Sequence, residues 1–319
     1  MLSYIAKKGG TTLKKTYKNI KTYILNNYNQ EIDEKVLDIL TISIMSLFIR
    51  FPEITKERIP YILNKLEIFY SDKTIKEMVT ERYPQYPINE IGKRTSAFVV
   101  RALDINNDTA INEEWTMYVS TSSINNNLVN IISKFTHELI HLLRFNGSID
   151  TGKIVKTKEG ISVSRYNKET KNLKRKYLNL EEGIVEDFTI KALEALFDYI
   201  KNEDVSFSPA LKLFKEKFKN DLEESYEIER LFLQMLTKDR KFNEFLEYSF
   251  IDKNEPLSLI SYYNDIVEDS TAFDTLSREL DNIIECADSN NTNDLNSKLN
   301  NLINQINSFL AKAKTKKKK

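Results

Sequence analysis

Two histidines and a glutamate in the pattern H-E-x-x-H are the residues of this sequence best suited to carry chemistry. His137 and His141 are the only histidines of the chain, and Glu138 follows the first of them. Residues four apart on a helix share one face, so both imidazoles can bind one metal ion with Glu138 beside them. Two neutral imidazoles leave a bound Zn²⁺ its Lewis acidity, and the carboxylate can accept a proton from a zinc-bound water. The motif predicts a hydrolytic zinc site with Glu138 as general base.

An amphipathic helix is needed to place the two histidines. Ser122 or Ser123 is suited to cap its start, and Asn146-Gly147 to end it. The alternative is that both histidines are ordinary surface or core residues of this helix, although buried imidazoles without partners would then cost free energy. Apolar residues at three- and four-residue steps predict the buried stripe of the helix: Val129, Ile132, Phe135, Leu139 and Leu143.

The third ligand of a tetrahedral catalytic site must be a carboxylate in this chain. No other histidine remains, and the single Cys286 lies in a distant helical segment. Residues 178–189 predict a second helix in which Glu182 and Glu186 lie one turn apart on one face. One of them can bind the metal while the other accepts a hydrogen bond from a ligating imidazole.

These residues resemble the gluzincin-type zinc metallopeptidases, which have H-E-x-x-H on one helix and a Glu, often within N-E-G or E-E-G, opening a later one. The resemblance covers about residues 95–200 and implies a zincin fold with one Zn²⁺ per chain. It implies that Glu182 is the third ligand, that Glu186 supports a ligating histidine, and that the substrate is a peptide or protein. The block T-H-E-L-I-H is also similar to that of the clostridial neurotoxin light chains, over too few residues to imply a substrate.

One feature departs from that pattern. Forty residues separate His141 from Glu182, which is wider than in several gluzincin families. Glu181, Glu186 and Asp187 therefore remain alternative ligands. An acidic, solvated helix face is the other interpretation of these carboxylates.

Alternating stretches on either side of the motif predict strands. Residues 96–103 and 114–120 predict two strands joined by a loop at 106–108. In zincins the strand before the metal helix is commonly an edge strand, to which an extended substrate can add another strand. The resemblance implies that role for Trp115, Met117 and Val119.

A hairpin is predicted between the two ligand helices. Residues 153–157 and 161–166 flank a turn at 158–160. A site that attacks carbonyls needs a polar group to stabilise the developing oxyanion. Arg165, Tyr166 and Tyr177 are the candidates.

Composition predicts an α+β, mostly helical fold. Only 7 Gly and 6 Pro occur in 319 residues, which favours long helices over a β-sandwich or barrel. Lys plus Arg equals Asp plus Glu at 47 each, so no global field favours nucleic acid as a partner. We expect a helical region over residues 1–90, a zincin-like catalytic core over 91–200, a helical region over 201–311 and a disordered basic tail over 312–319.

Several further expectations concern the flanking regions. The two prolines within residues 83–87 predict the first boundary, and 62–70 a short helix. The apolar run within residues 1–8 is too short for a secretory signal. Residues 36–49 predict a buried helix rather than a membrane span. A soluble, intracellular protein is expected, with its oligomeric state open. The N-terminal helices fit a packed layer or a prodomain.

Two functions follow from these observations. The first is a zinc-dependent metallopeptidase. The alternative is a non-enzymatic helical interaction protein in which H-E-x-x-H holds zinc structurally or is vestigial. The intact Glu138 favours the enzyme, because a structural site has no use for a base there.

Overall fold

The computed structural model describes residues 13–82, 95–101, 115–167, 169–170, 172–223, 225–251, 255–289 and 292–316. The fold is α+β and mostly helical, as predicted. The predictions for residues 1–8, 83–87 and 106–108 concern segments outside the described residues.

The helices of the described residues are α1 (Leu13–Asn27), α2 (Glu34–Arg50), α3 (Pro52–Lys65), α4 (Ile75–Arg82), α5 (Leu128–Arg144), α6 (Leu178–Ile200), α7 (Pro209–Asp221), α8 (Glu227–Leu236), α9 (Arg240–Ile251), α10 (Glu255–Val267), α11 (Ala272–Asp288) and α12 (Thr292–Lys316). The strands are β1 (Leu66–Ser71), β2 (Ala97–Arg101), β3 (Trp115–Ser120), β4 (Phe145–Asp150), β5 (Ile154–Glu159), β6 (Ser162–Asn167) and β7 (Asn172–Lys176).

The chain divides into two compact units. The first comprises Met1–Leu143 with Phe188–Glu223, and the second comprises Arg144–Asp187 with Glu224–Lys319. The division falls inside the continuous helix α6. The regional boundaries expected at residues 90 and 200 stay predictions.

The first unit contains a three-stranded mixed sheet in the order β1-β3-β2. β1 pairs with β3 in parallel and β2 pairs with β3 antiparallel. β3 is therefore the central strand, hydrogen-bonded on both sides, and every residue in it is buried. The edge-strand role predicted for Trp115, Met117 and Val119 is wrong, because no side of β3 is open to an added strand.

β1 is a second correction in this unit. The helix predicted over residues 62–70 ends at Lys65 as α3, and Leu66 begins the strand. The six residues of β1 pair in register with β3, from Leu66 opposite Trp115 to Ser71 opposite Ser120. This pairing joins segments about fifty positions apart in the sequence. Such tertiary pairing outweighs the weak local preference of these residues for helix or strand.

The second unit contains a four-stranded antiparallel sheet in the order β4-β5-β6-β7. β5 and β6 form the predicted hairpin, with Glu159 opposite Ser162 at the turn. β4 follows α5 without a gap, and β7 ends two residues before α6 begins. The sequence reading found the central hairpin and missed both outer strands.

Helices α8 to α12 complete the second unit. Phe309 of α12 stacks on Tyr263 with ring centroids 4.6 Å apart and also meets the rings of Phe242 and Tyr262. The last helix therefore packs on α9 and α10. It continues to Lys316, so residues 312–316 of the predicted disordered tail are helical, and 317–319 lie outside the described residues.

No helix in the described ranges has both the length and the hydropathy that a membrane crossing requires.

Candidate metal centre

Helix α5 carries the H-E-x-x-H motif. The Oδ1 of Asn127 accepts hydrogen bonds from the amides of Val129 at 2.9 Å and Asn130 at 3.3 Å, so Asn127 caps the helix. Ser122 and Ser123, predicted as caps, lie in a preceding 3₁₀ turn instead. The predicted stripe is fully buried, with no member more than 1% exposed: Val129, Ile132, Phe135, Leu139 and Leu143.

The two histidines present the same ring nitrogen to each other. The Nε2 atoms of His137 and His141 are 3.1 Å apart, and the side chains are 3% and 8% exposed. Nitrogen lone pairs this close require a shared proton or a shared cation. Zinc–nitrogen bonds of about 2.0–2.1 Å in tetrahedral geometry place two ligand atoms about 3.3 Å apart. The pair is therefore spaced as two ligands of one ion would be.

Glu182 supplies the third donor. One carboxylate oxygen of Glu182 and one ring nitrogen of each histidine all lie within 4.8 Å of one another. Across the described residues, this is the one group of three or more His, Cys, Asp or Glu side chains arranged to hold a metal. Two imidazoles and one carboxylate form a donor set that catalytic zinc uses. Glu138, which follows His137 in the sequence, is 6% exposed.

Glu181, which the sequence offered as an alternative ligand, forms an ion pair with Arg144. Its Oε1 accepts from Arg144 Nε at 2.5 Å, and its Oε2 accepts from Arg144 Nη2 at 3.0 Å. The backbone amide of Ile161 also donates to Oε2 at 3.0 Å. Both side chains of this ion pair are 1% exposed. Two oxygens with three donors satisfy the carboxylate, so Glu181 is a structural anion rather than a ligand.

Gly160 makes room for this ion pair. Its φ is +49°, and a Cβ built there would lie 2.2 Å from Oε1 of Glu181 and 2.4 Å from Nη2 of Arg144. Its amide donates to the carbonyl of Arg144 at 3.0 Å. The β5–β6 turn is thus fastened to the end of α5 and the first turn of α6. The sequence predicted only that Gly160 lies in a turn. The residues next to Gly160 in the sequence carry no signal for its contact with the Arg144–Glu181 ion pair.

The two other carboxylates named from the sequence, Glu186 and Asp187, are buried. Glu186 is 1% exposed, and its Oε1 accepts from the amide of Ser225 at 2.9 Å. Its predicted support of a ligating histidine stays a prediction. Asp187 is buried as well.

Gly183, which follows Glu182, lies against α8. A Cβ built at Gly183 would lie 2.8 Å from the Cβ of Glu229 and 3.1 Å from its carbonyl carbon. A larger residue there would push the two helices of the second unit apart. The glycine of the E-E-G block therefore has a packing role in this chain.

The three oxyanion candidates lie in different environments. The hydroxyl of Tyr177 donates its single proton to Oδ1 of Asp274, which leaves none for an oxyanion. Burial is the main cause that raises the pKa of Tyr177 above its usual value. Arg165 is exposed on the outer face of β6. Tyr166 is buried on the other face, and its role stays a prediction.

In comparisons with known proteins, no protein-family model, no curated protein and no solved structure matches the chain.

Proposed function

We propose that the protein is a zinc-dependent metallopeptidase. The observation that carries the proposal is the convergence of His137, His141 and Glu182, whose donor atoms lie within 4.8 Å of one another with Glu138 adjacent in sequence. His137, His141 and Glu182 would give a bound Zn²⁺ three protein ligands, the number that catalytic zinc sites use and closed structural sites exceed.

The ligand residues hold and orient the ion in this proposal. A bound Zn²⁺ supplies Lewis acidity, which polarises a carbonyl and favours the ionisation of water. His137 and His141 would hold the ion as neutral ligands, and Glu182 would contribute one negative charge. Burial of the two histidines strengthens charge interactions at their ring nitrogens.

Glu138 performs the proton transfers. It accepts the proton of the attacking water and passes it to the leaving amine, so that it begins and ends the cycle ionised. Because Glu138 is next to His137 on the same helix, the helix backbone limits how far its carboxylate can lie from the reacting groups. A structural zinc site would need no such base.

Peptide bonds are the proposed target because of the gluzincin pattern. The motif itself specifies an activated water more strongly than the bond that is attacked. The resemblance of H-E-x-x-H with a later E-E-G block supports a peptidase over other zinc hydrolases.

Metal content and turnover test the proposal together. We expect about one zinc per chain by mass spectrometry, lost in Glu182→Ala and kept in Glu194→Ala, a matched change at an exposed position of the same helix. Glu138→Gln should keep the zinc and lose hydrolysis of a quenched fluorogenic peptide library. Hydrolysis retained in Glu138→Gln, or no zinc affinity in the natural sequence, would refute the proposal.

A further inference from the structure

A row of three cations crosses the four-stranded sheet of the second unit. Lys156 of β5 lies directly opposite Arg165 of β6, and Arg165 lies directly opposite Lys174 of β7. All three residues are exposed. Directly opposed residues project from the same face of a sheet, and neighbouring strands are about 4.8 Å apart, so the row spans roughly 10 Å.

No side chain that the structure describes within the sheet neutralises this row. Like charges directly opposite one another destabilise a strand pair. Across the described residues, none of the three cations forms an ion pair with a carboxylate, whereas nearby Lys153 pairs with Glu169 and Lys176 with Asp274. The row is therefore a concentration of positive charge that folding alone does not require.

The surrounding sequence has the same bias. Residues 145–177 contain nine Lys or Arg and three Asp or Glu, although the charges of the whole chain balance. Lys158 projects from the same face in the next register position, because residues two apart on a strand share a face. Val155 and Tyr166 on the opposite face are buried. The sheet thus packs through the face of Val155 and Tyr166, and Lys156, Lys158, Arg165 and Lys174 lie on the other face.

We infer that the cationic sheet face, defined by Lys156, Lys158, Arg165 and Lys174, docks an acidic segment of the polypeptide substrate. This inference rests on the proposed function, since it assigns a substrate class to that activity. Carboxylates of such a segment would pair with the row and remove its internal repulsion. Glu182 lies on the helix that follows β7 in the same unit, so the docked segment is held on the part of the chain that carries a metal ligand.

Other polyanions fit this face less well. Single-stranded nucleic acid is bound by stacking on aromatic side chains, and the described residues on this face of β5, β6 and β7 include none. Anionic membranes are bound most firmly when apolar side chains also insert. On this face of β5, β6 and β7, the described apolar side chains are the half-buried Ile154 and Val163. Paired carboxylates need neither aromatic nor apolar partners.

Binding by an inactive variant tests the inference without turnover. Full-length Glu138→Gln is titrated into a fluorescein-labelled poly-Glu decapeptide, and fluorescence anisotropy is followed. Each exposed charge pair raises the binding constant by roughly a factor of two or more. Changing Lys156, Arg165 and Lys174 together to Gln should therefore weaken binding about tenfold. Rising ionic strength should weaken binding to the parent protein as well.

A charge-matched control separates the face from net charge. Changing Lys14, Lys15 and Lys18 together to Gln removes three exposed cations from α1 and should leave binding within about a factor of two. Equal weakening in both triple variants would overturn the inference. So would no binding of the decapeptide, or tighter binding of a short DNA duplex or of phosphatidylserine vesicles.

Failure of this inference is distinguishable from failure of the proposed function. Hydrolysis by the natural sequence with no decapeptide binding would overturn the docking face alone. Decapeptide binding with no hydrolysis and no zinc would overturn the peptidase alone. If both hold, an acidic extension on a cleaved peptide should lower its KM with little change in kcat, and the Lys156, Arg165 and Lys174 triple variant should lose that gain.

Discussion

Glu181→Gln should destabilise the protein far more than its conservative chemistry suggests. The change removes the charge that balances Arg144, and both side chains are 1% exposed. It also places an amide NH₂ where three donors now converge, two from Arg144 and one from the Ile161 amide. Breaking one side of a buried ion pair costs about 3–5 kcal/mol, because the remaining charge is left desolvated without a partner. We expect a loss of that size in the free energy of unfolding.

Urea denaturation monitored by circular dichroism measures this loss. An exposed pair of the same residue types in the same unit provides the control: Arg240 Nε lies 2.8 Å from Glu244 Oε1, with side chains 89% and 49% exposed. Glu244→Gln should cost less than about 0.5 kcal/mol, as expected for a solvated i,i+4 pair. Similar losses in the two variants would refute the claim that burial determines the cost.

A double replacement refines the test. Changing Arg144 to Met and Glu181 to Leu together removes both charges, and replacing a buried pair by apolar side chains is often neutral or stabilising. We therefore expect the double variant to be more stable than Glu181→Gln, with a coupling energy above about 1 kcal/mol. Zinc affinity, measured by chelator competition, should still fall on the order of tenfold, since support of metal ligands is typically worth that much. Full zinc affinity in the double variant would show that the pair stabilises the fold without positioning Glu182.

Two further predictions concern the second unit. Gly160→Ala should lower the free energy of unfolding by more than about 1 kcal/mol, because its Cβ would lie 2.2 Å from Glu181. Gly152 also has a positive φ, but a Cβ there meets nothing within 4 Å, so Gly152→Ala should show the backbone strain without the clash and a smaller loss in urea; equal losses would contradict the clash. Burial raises the pKa of Asp274, but hydrogen bonds from Lys176 and Tyr177 outweigh it and hold that pKa below its usual value. The stabilisation is then present above about pH 4 and lost as the pH falls through the lowered pKa, so the stability difference between the natural protein and Asp274→Asn should shrink from pH 5 to pH 2; a constant difference would contradict the linkage.

Local periodicity was enough to predict the elements that carry the motif. The stripe through Phe135 and Leu139 repeats within α5 itself, and the hairpin around Gly160 is closed by residues next to one another in sequence. Pairing between distant segments has no such signal. The parallel register of β1 with β3 joins residues 66–71 to 115–120, and it alone determines that β3 is central. The substrate role predicted for Trp115 failed for this reason.

The candidate ligands show the same limit at a finer scale. Glu181 and Glu182 are identical in type and adjacent in sequence, so only position on the helix and distant partners distinguish them. Arg144, which ends α5, selects Glu181 as its partner. The partner of Arg144 was not predictable, since an arginine three residues after an H-E-x-x-H motif has no preferred contact in the sequence pattern.

Three consecutive residues of α6 have separate roles. Glu181 is fixed by Arg144 and by the turn at Ile161, and Gly183 is fixed by its close approach to Glu229. Both neighbours of Glu182 are thus held by buried contacts, which restricts the backbone from which its carboxylate extends. Arg144 lies three residues after His141 on one continuous helix, so the same ion pair also fixes the end of the helix that carries the histidines. Glu181 and Gly183 of the E-E-G block therefore each have a structural role in this chain, in a buried ion pair and in a close helix contact.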